Sequence, residues 1–335
     1  MPLPRKILTI DGGGVKGIFP AAFLATVEQC FERPLWECFD LIAGTSTGGI
    51  IALALGLGIS ATEIKELYMR LGPEVFSPQN RHSLWQQLRK AKYNPKTLRD
   101  LLVKTFGQNT LGASKTRLVI PAVHALNNQV YVFKTRHHRR FEVDHRVPMV
   151  DVAMATAAAP IYFPPHVTAN GQRLVDGGVW ANNPLGMAAV EAMAVLDWPR
   201  DKIVALSLGC SRYPSDSDYP GFGSPLKLKN YVVDLFMQGQ NHFSMGTASL
   251  ILGHERIIRV DPVVPNGRYS LDSCERLEEL QALAHAEARE ALPKLRRLTF
   301  DQATEPFIPY PPPGSEGIPL DSQGAQRQAG QSGQP

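Results

Sequence analysis

The sequence lacks an apolar run of the roughly 20 residues that a membrane-spanning helix needs. Its apolar stretch at residues 49–57 is too short and too rich in glycine for that role. Any reaction on a membrane would therefore take place at the membrane surface. The first residues run directly into a strand pattern, so we expect no secretory signal and a cytoplasmic protein.

Cysteine is also scarce, and no two cysteines form a Cys-x-x-Cys pair. This spacing argues against a zinc site or a disulfide scaffold and fits a reducing compartment. The net charge of +4 is mild, so the composition does not indicate a partner such as DNA or RNA. With 335 residues, 44% of them hydrophobic, the chain can bury a large core. The cysteines are Cys30, Cys38, Cys210 and Cys274.

One short turn organises the chain. An apolar run ends at Ala43, and a second nearly uncharged run begins at Gly49, which predicts a buried strand, a tight turn and a buried helix. The turn between them has the G-x-S-x-G pattern of a nucleophile elbow, with Ser46 at its corner. Glycines on both sides relieve crowding at such a turn. The five residues are Gly44, Thr45, Ser46, Thr47 and Gly48.

A second glycine-rich turn follows the first predicted strand, Lys6 to Ile10. Three successive glycines expose backbone N–H groups, which can bind a phosphate or an oxyanion. Residues 12–17 also match the G-x-G-x-x-G pattern of dinucleotide sites, which requires an acidic residue at the end of the second strand. Asp40 instead opens its strand, so this alternative is disfavoured. The turn reads Asp11, Gly12, Gly13, Gly14, Val15, Lys16 and Gly17.

A third strand end carries a carboxylate, in Asp176-Gly177-Gly178. Acyl transfer needs a nucleophile, a base and donors for the oxyanion. Ser46, Asp176 and the amides of the triglycine turn supply one of each. Strands alternate with helices along the chain, which predicts an α/β fold: a three-layer α/β/α sandwich with a mostly parallel central sheet. Ligands bind at the carboxyl ends of such strands, so the three turns can meet in one cleft.

Other segments give weaker signals. Ser60 and Glu63 form a capping box for a helix that we expect to stop at Gly72. Residues 81–104 and 134–146 are basic. The adjacent His137 and His138 are expected to be exposed to solvent, and no metal site is expected. We predict a domain over residues 5–300 and a disordered Pro/Gly/Gln-rich tail over residues 301–335.

The three turns, in this order, resemble the patatin-like phospholipase family. Ala157-Ala158-Ala159-Pro160 and Asn182-Asn183-Pro184 also look like that family. The resemblance implies a phospholipase A, a carboxylic ester hydrolase that cleaves fatty-acyl esters of membrane phospholipids with a Ser-Asp dyad and no catalytic cofactor. By the match, Ser46 is the nucleophile and Asp176 the base. Gly12, Gly13 and Gly14 would form the oxyanion hole beside Lys16, and Gly17, Gly44, Gly48, Gly177 and Gly178 would support the motifs.

Within the family, the first 60 residues look most like bacterial patatin effectors of anti-phage signalling. That resemblance implies activation by a cyclic dinucleotide such as cyclic GMP-AMP and action at the inner membrane surface. No motif that reads a nucleotide is visible, although the two basic segments could contact phosphates. Whether the chain acts alone, as a homodimer or as a higher oligomer stays open.

Four alternatives remain. The first is an unregulated lipid acyl hydrolase of general lipid metabolism. The second is an α/β-hydrolase with a Ser-Asp-His triad, for which chain order would allow His242, His254 or His285. The third is a non-catalytic nucleotide or lipid sensor, which would resist labelling by a fluorophosphonate. The fourth, a secreted or storage-type lipase, is disfavoured because no signal peptide is visible.

Overall fold

The computed structural model describes residues 3–87, 90–214, 225–265 and 267–311. Two positions of the basic segment 81–104, residues 88–89, lie outside the described residues, and so does the predicted tail beyond residue 311. The strands are β1 (Arg5–Ile10), β2 (Leu41–Gly44), β3 (Arg117–His124), β4 (Val130–Lys134), β5 (His166–Val167), β6 (Arg173–Asp176), β7 (Ile203–Leu208) and β8 (Ile257–Val260). The helices are α1 (Ile18–Phe31), α2 (Thr47–Leu57), α3 (Ala61–Val75), α4 (Leu84–Gln87), α5 (Pro95–Phe106), α6 (Met149–Thr156), α7 (Gly178–Ala181), α8 (Leu185–Ala194), α9 (Pro225–Leu252) and α10 (Leu277–Arg297).

The strands form one mixed sheet in the order β5-β6-β3-β2-β1-β7-β8, and β4 pairs with β3. Strands β3, β2, β1, β7 and β8 run parallel to one another. Strands β4, β5 and β6 add antiparallel pairs at one side. The predicted sheet is therefore confirmed in its parallel centre, whereas its β4–β6 side is antiparallel.

Two apolar layers cover the two faces of the sheet. Successive residues of β1 and β2 alternate between the layers, since Leu8 and Ile42 face one layer while Ile7 and Leu41 face the other. The first layer contains α1, α2, α3 and α10, and the second contains α8 and the C-terminal part of α9. The result is the predicted three-layer α/β/α arrangement.

The register brings the three predicted turns to the same edge of the sheet. Ile10 at the end of β1 pairs with Gly44 at the end of β2, so the triglycine turn and the Ser46 turn leave side by side. Strand β3 extends past the end of β2 and pairs there with β6, with Ala122 opposite Asp176. Asp176 therefore reaches this edge on an antiparallel strand.

One predicted helix boundary is wrong. The capping box of Ser60 and Glu63 is present, but α3 continues through Gly72 and Pro73 to Val75, whose side chain is fully buried. Residues beyond 300 form backbone hydrogen bonds with the rest of the fold. The backbone N–H of Thr304 donates to Glu37 at 2.7 Å, and that of Tyr310 donates to Arg136 at 2.7 Å.

Among the helices described here, none combines the length and apolarity that crossing a membrane would require.

Candidate active site

Ser46 occupies a strained corner between β2 and α2. Its backbone has φ +55° and ψ −122°, a region that residues with a side chain rarely adopt. The surrounding structure holds this conformation in place. The N–H of Ser46 donates to Oγ1 of Thr156 at 3.0 Å, and the N–H of Gly48 donates to the carbonyl of Thr45 at 2.7 Å. The geometry is that of the nucleophile elbow that the sequence predicted.

The glycines of the elbow are required by close backbone contacts. A Cβ at Gly44 would lie far inside van der Waals contact with the carbonyl oxygen of Gly48. A Cβ at Gly48 would meet the carbonyl oxygen of Ile10 in the same way. Because both obstacles are backbone atoms, they cannot move aside as a flexible side chain would. Gly177 is likewise crowded by the backbone carbonyl of Pro121, whereas Gly17 is crowded by the side chain of Thr47.

We therefore expect Gly48→Ala to lower the free energy of unfolding by about 3 kcal/mol or more, since the added methyl group must displace backbone. Urea denaturation measures this directly. Gly246→Ala is the matched control, because Gly246 lies in α9 with no atom within 4 Å of its added Cβ. That change should be neutral or stabilising by up to about 1 kcal/mol. Equal stabilities for the two variants would contradict the crowding.

Asp176 is a buried acid directed at the elbow. Its carboxylate accepts a hydrogen bond from the N–H of Gly178 at 2.7 Å. Burial raises the pKa of Asp176 to about 6, and hydrogen bonds from the Ser46 hydroxyl and the Gly178 amide oppose that increase. A carboxylate with a pKa near 6 is ionised at neutral pH and is a stronger base than an ordinary Asp. The structure therefore brings Ser46 and Asp176 together.

The triglycine turn lies against Ser46, since a Cβ at Gly12 would be 3.2 Å from Cβ of Ser46. Thr47 ties this turn to the elbow by donating from Oγ1 to the carbonyl of Gly14 at 2.7 Å. In the part of the chain that the structure describes, the N–H groups of Gly13 and Gly14 have no hydrogen-bond acceptor. They are therefore available to an oxyanion that forms beside Ser46.

The backbone of Gly12 is already hydrogen-bonded within the protein. Its N–H already donates to the carbonyl of Asn182 at 3.1 Å, and its own carbonyl accepts from the Asn182 side chain at 3.3 Å. Of the three amides predicted to bind an oxyanion, that of Gly12 is therefore occupied, and those of Gly13 and Gly14 stay candidates. Asn182 lies in the segment that resembled the family, but sequence alone gave no sign that it pairs with residue 12.

Lys16 lies next to this turn with its ammonium group directed away along a loop. Its Nζ is 3.4 Å from the carbonyl of Ser211 and 5.8 Å from the centre of the Tyr213 ring. The ammonium therefore has partners of its own, and a place for Lys16 beside an oxyanion hole stays a prediction.

Arg259 is a further residue at the site that sequence reasoning missed. From β8 it forms two hydrogen bonds with the Asp11 carboxylate, at 2.6 and 3.0 Å, and a third with Asp261 at 3.0 Å. All three groups are largely buried. Burial raises the pKa of Asp11 to about 6 although Arg259 opposes the increase. The ion pair of Arg259 with Asp11 therefore anchors the first residue of the triglycine turn.

Among the described residues, no hydrogen bond links His242, His254 or His285 to Ser46 or Asp176. His242 and His254 are exposed, and Nδ1 of His285 is 2.5 Å from Oγ1 of Thr26. The expected exposure of His137 is wrong, because this ring is buried and hydrogen-bonds to Glu191 at 3.0 Å. Lys134 pairs with the same Glu191 at 2.6 Å, so part of the second basic segment is neutralised internally.

The dinucleotide alternative finds no support at Asp40. This buried carboxylate accepts from the Lys6 N–H at 2.8 Å and from the Arg5 guanidinium at 2.9 Å, so it anchors β1. In the described ranges, no group of three or more His, Cys, Asp or Glu side chains could hold a metal ion.

Comparison with known proteins identifies relatives of this site and fold. The family model described as patatin-like phospholipase matches residues 8–189. A Pseudomonas aeruginosa protein named cGAMP-activated phospholipase is 36% identical over 70% of this chain and 71% of its own length. A Vibrio cholerae protein of the same name is 33% identical over 59% of this chain, and the match spans 61% of that protein.

The solved structure of a bacterial protein has a similar fold. VipD from Legionella pneumophila aligns with a TM-score of 0.50 over 91% of this chain and 68% of its own, at 12% sequence identity. At that identity the likeness concerns the fold alone.

Proposed function

The chain belongs to the patatin-like phospholipase family, and from this premise we propose that Ser46 and Asp176 are the catalytic dyad of a phospholipase A acting on membrane phospholipids. Membership makes the chain a lipid acyl hydrolase, a carboxylic ester hydrolase by reaction type. One observation carries the residue assignment. The Ser46 hydroxyl hydrogen-bonds to a buried carboxylate whose pKa is about 6, beside two unpaired glycine amides.

In the proposed mechanism, Asp176 takes the proton of Ser46 as Oγ attacks the ester carbonyl. The N–H groups of Gly13 and Gly14 hydrogen-bond to the negative oxygen of the tetrahedral intermediate. The intermediate then collapses as its ester C–O bond breaks, and Asp176 returns the proton to the departing alkoxide. The alkoxide leaves as the lysophospholipid, while the acyl group stays on Ser46 Oγ as an ester. Water, deprotonated by Asp176, attacks this ester and releases the fatty acid, and the proton returns to Ser46.

Exposed apolar side chains next to Asp176 support a bilayer as the source of the substrate. The short helix α7 carries Val179 and Trp180, which come shortly after Asp176 in the chain. Their side chains are 50% and 40% exposed. Gln240 of α9 hydrogen-bonds to the carbonyl of Val179 at 2.9 Å, which places the exposed Phe236 and Phe243 of α9 near the same rim. Such groups can enter the interface of a membrane.

We further propose that a cyclic dinucleotide activates the enzyme and that it attacks the cell's inner membrane in anti-phage defence. The Pseudomonas aeruginosa and Vibrio cholerae relatives are both named cGAMP-activated phospholipase. The test is fatty-acid release from phosphatidylethanolamine/phosphatidylglycerol vesicles with and without 3′,3′-cyclic GMP-AMP. Release that requires the nucleotide supports the proposal. Equal release without it would reject regulation and favour an unregulated lipid acyl hydrolase, and no release of fatty acid would reject the phospholipase assignment.

Replacement of the histidines tests the Ser-Asp-His alternative. We expect His242→Ala, His254→Ala and His285→Ala each to keep vesicle hydrolysis within about a factor of three, because substitutions of this kind outside a site have small effects. A triad histidine would instead reduce kcat by orders of magnitude. A loss as large as that of a Ser46 variant, in any one of the three, would identify a triad.

A further inference from the structure

A pocket of about 810 Å³ lies between the loop 161–165 and residues on both sides of the undescribed pair 88–89. On that side its described lining consists of His82, Gln87, Lys90, Ala91, Lys92, Tyr93 and Pro95. Its lining includes neither Ser46 nor Asp176, nor any residue of the triglycine turn. The described lining contains the basic residues Lys90, Lys92 and His82 and no Asp or Glu. A pocket of this size accommodates a ligand of several hundred daltons, and its lysines favour an anion.

The floor of this pocket is aromatic. Tyr93 and Phe163 line it, with ring centres 6.2 Å apart, and Phe76 packs edge-on against Tyr93 at 5.2 Å. Lysines and aromatic rings line the same pocket, so it can bind a phosphodiester through the lysines and attached rings or other apolar groups through the aromatic side chains. Cyclic dinucleotides and phospholipid headgroups share the phosphodiester.

The first connection to the active site runs through the loop. The N–H of Lys92 donates to the carbonyl of Ile161 at 2.8 Å, and that of Tyr93 donates to the carbonyl of Tyr162 at 3.0 Å. Ile161 has φ +77°, a strained conformation for a β-branched residue. Just before this loop, the carbonyl of Ala158 accepts the N–H of Asp176 at 3.1 Å. A displacement of the loop would therefore reach the proposed base.

The second connection runs through Asp272. Lys92 Nζ forms an ion pair with Asp272, and the Tyr93 hydroxyl donates to the same carboxylate at 2.8 Å. The preceding residue, Leu271, accepts the N–H of Val15 at 2.9 Å through its carbonyl. The same carbonyl lies where a Cβ of Gly14 would be, so it packs directly on the triglycine turn. Asp272 is thus one residue from a contact that shapes the proposed oxyanion hole.

We propose that this pocket is the regulatory site of the enzyme, that it binds the phosphodiester of a cyclic dinucleotide, and that Lys92 exchanges Asp272 for a ligand phosphate on binding. The proposal rests on the proposed function, which supplies the ligand. Release of Asp272 and contact with the 161–165 loop would shift the populations of both active-site turns, because each is linked to the pocket by the hydrogen bonds above.

The test compares Lys92→Met with Lys96→Met in the full chain. Lys96 belongs to the same basic segment, pairs with Asp100 on the surface and does not line the pocket, which makes it a matched control. Isothermal titration with 3′,3′-cyclic GMP-AMP, without lipid, gives the affinities. Lys92→Met should weaken binding about tenfold or more, because a charge-assisted hydrogen bond to the phosphate is lost. Lys96→Met should stay within about twofold of the wild type.

Asp272→Asn gives the opposite sign and separates exchange from a merely structural role. Without its internal partner, Lys92 should bind the nucleotide several-fold more tightly, whereas damage to the pocket would weaken binding. Tighter binding by this variant together with weaker binding by Lys92→Met supports the proposal. Weaker binding by Asp272→Asn overturns the exchange.

The remaining outcomes separate a failure of the pocket assignment from a failure of the proposed activation. If the wild type and Lys92→Met bind the nucleotide equally well, the assignment of this pocket as the nucleotide site is overturned. The proposed activation is then unaffected. No binding by the wild type overturns both. The same titration with monomeric dihexanoyl phosphatidylglycerol forms a second arm. Binding there that depends on Lys92, without nucleotide binding, assigns the pocket to a lipid headgroup and overturns the nucleotide assignment.

Discussion

Replacing Ser46 by Ala is expected to reduce the rate of fatty-acid release by about 10⁴-fold or more, to the level that binding and oxyanion contacts alone supply. The substitution removes one oxygen atom and no apolar contact. The N–H of residue 46 still donates to Thr156, and Ala cannot attack the ester. The measurement is hydrolysis of phosphatidylglycerol vesicles in the presence of 3′,3′-cyclic GMP-AMP.

Ser60→Ala is the matched control, because it removes a hydroxyl that caps α3 and hydrogen-bonds to Glu63. It should lower the free energy of unfolding by about 1 kcal/mol and leave the rate nearly unchanged. Ser46→Ala that folds normally and keeps a tenth or more of the wild-type rate would exclude Ser46 as the nucleophile.

Asp176→Asn is expected to lower kcat/KM by about 10³- to 10⁴-fold, because the amide cannot take the proton of Ser46. Wild-type kcat/KM should rise about tenfold per pH unit up to the Asp176 pKa of about 6 and level off above it, since only the ionised carboxylate is a base. An activity without this acid limb, or an Asn variant of nearly full activity, would contradict the assignment.

The same substitution should make the protein more stable at neutral pH. Because burial raises the pKa of Asp176 above its ordinary value, the folded state binds this proton more tightly than the unfolded state. Below about pH 4 this proton makes its full contribution to the free energy of unfolding, up to about 3 kcal/mol. The contribution is lost as the pH rises through about 6. Asn cannot ionise and avoids that loss.

Asp11 also titrates near pH 6, since burial raises its pKa as well. Its contribution is common to the wild type and Asp176→Asn, so the difference between their unfolding curves from pH 4 to pH 8 isolates residue 176. A variant that is equally stable or less stable at pH 8 would argue against a raised pKa for Asp176.

The turns were predictable from sequence because their chemistry is local. Gly44 and Gly48 flank Ser46 within five residues, and strand, turn and helix patterns surround them. Buried β1 and β2 are short runs next to glycine, which identified them as buried strands. The capping box of Ser60 and Glu63 likewise lies within one helical turn.

What the sequence did not reveal depends on contacts between distant residues. Gly12 and Asn182 are 170 positions apart, and only the folded chain shows that their hydrogen bond removes one amide from the oxyanion hole. Arg259 carried no motif, and its role follows from β8 lying beside β7 in the sheet. His137 was expected to be exposed because no carboxylate or cysteine lies near it at ligand spacing in the sequence. In the fold, Glu191 of α8 hydrogen-bonds to the buried ring from 54 positions away.

Covalent labelling with a fluorophosphonate tests the central claim most directly, because the reagent reports the nucleophile and the activity of its base in one experiment. The activated wild type should be labelled once, at Ser46 by peptide mass spectrometry, with a rate that increases with pH through about 6. Asp176→Asn should be labelled at least about 100-fold more slowly. Labelling at another residue, or labelling of Ser46 at the same rate with Asn at position 176, would contradict a Ser46–Asp176 dyad.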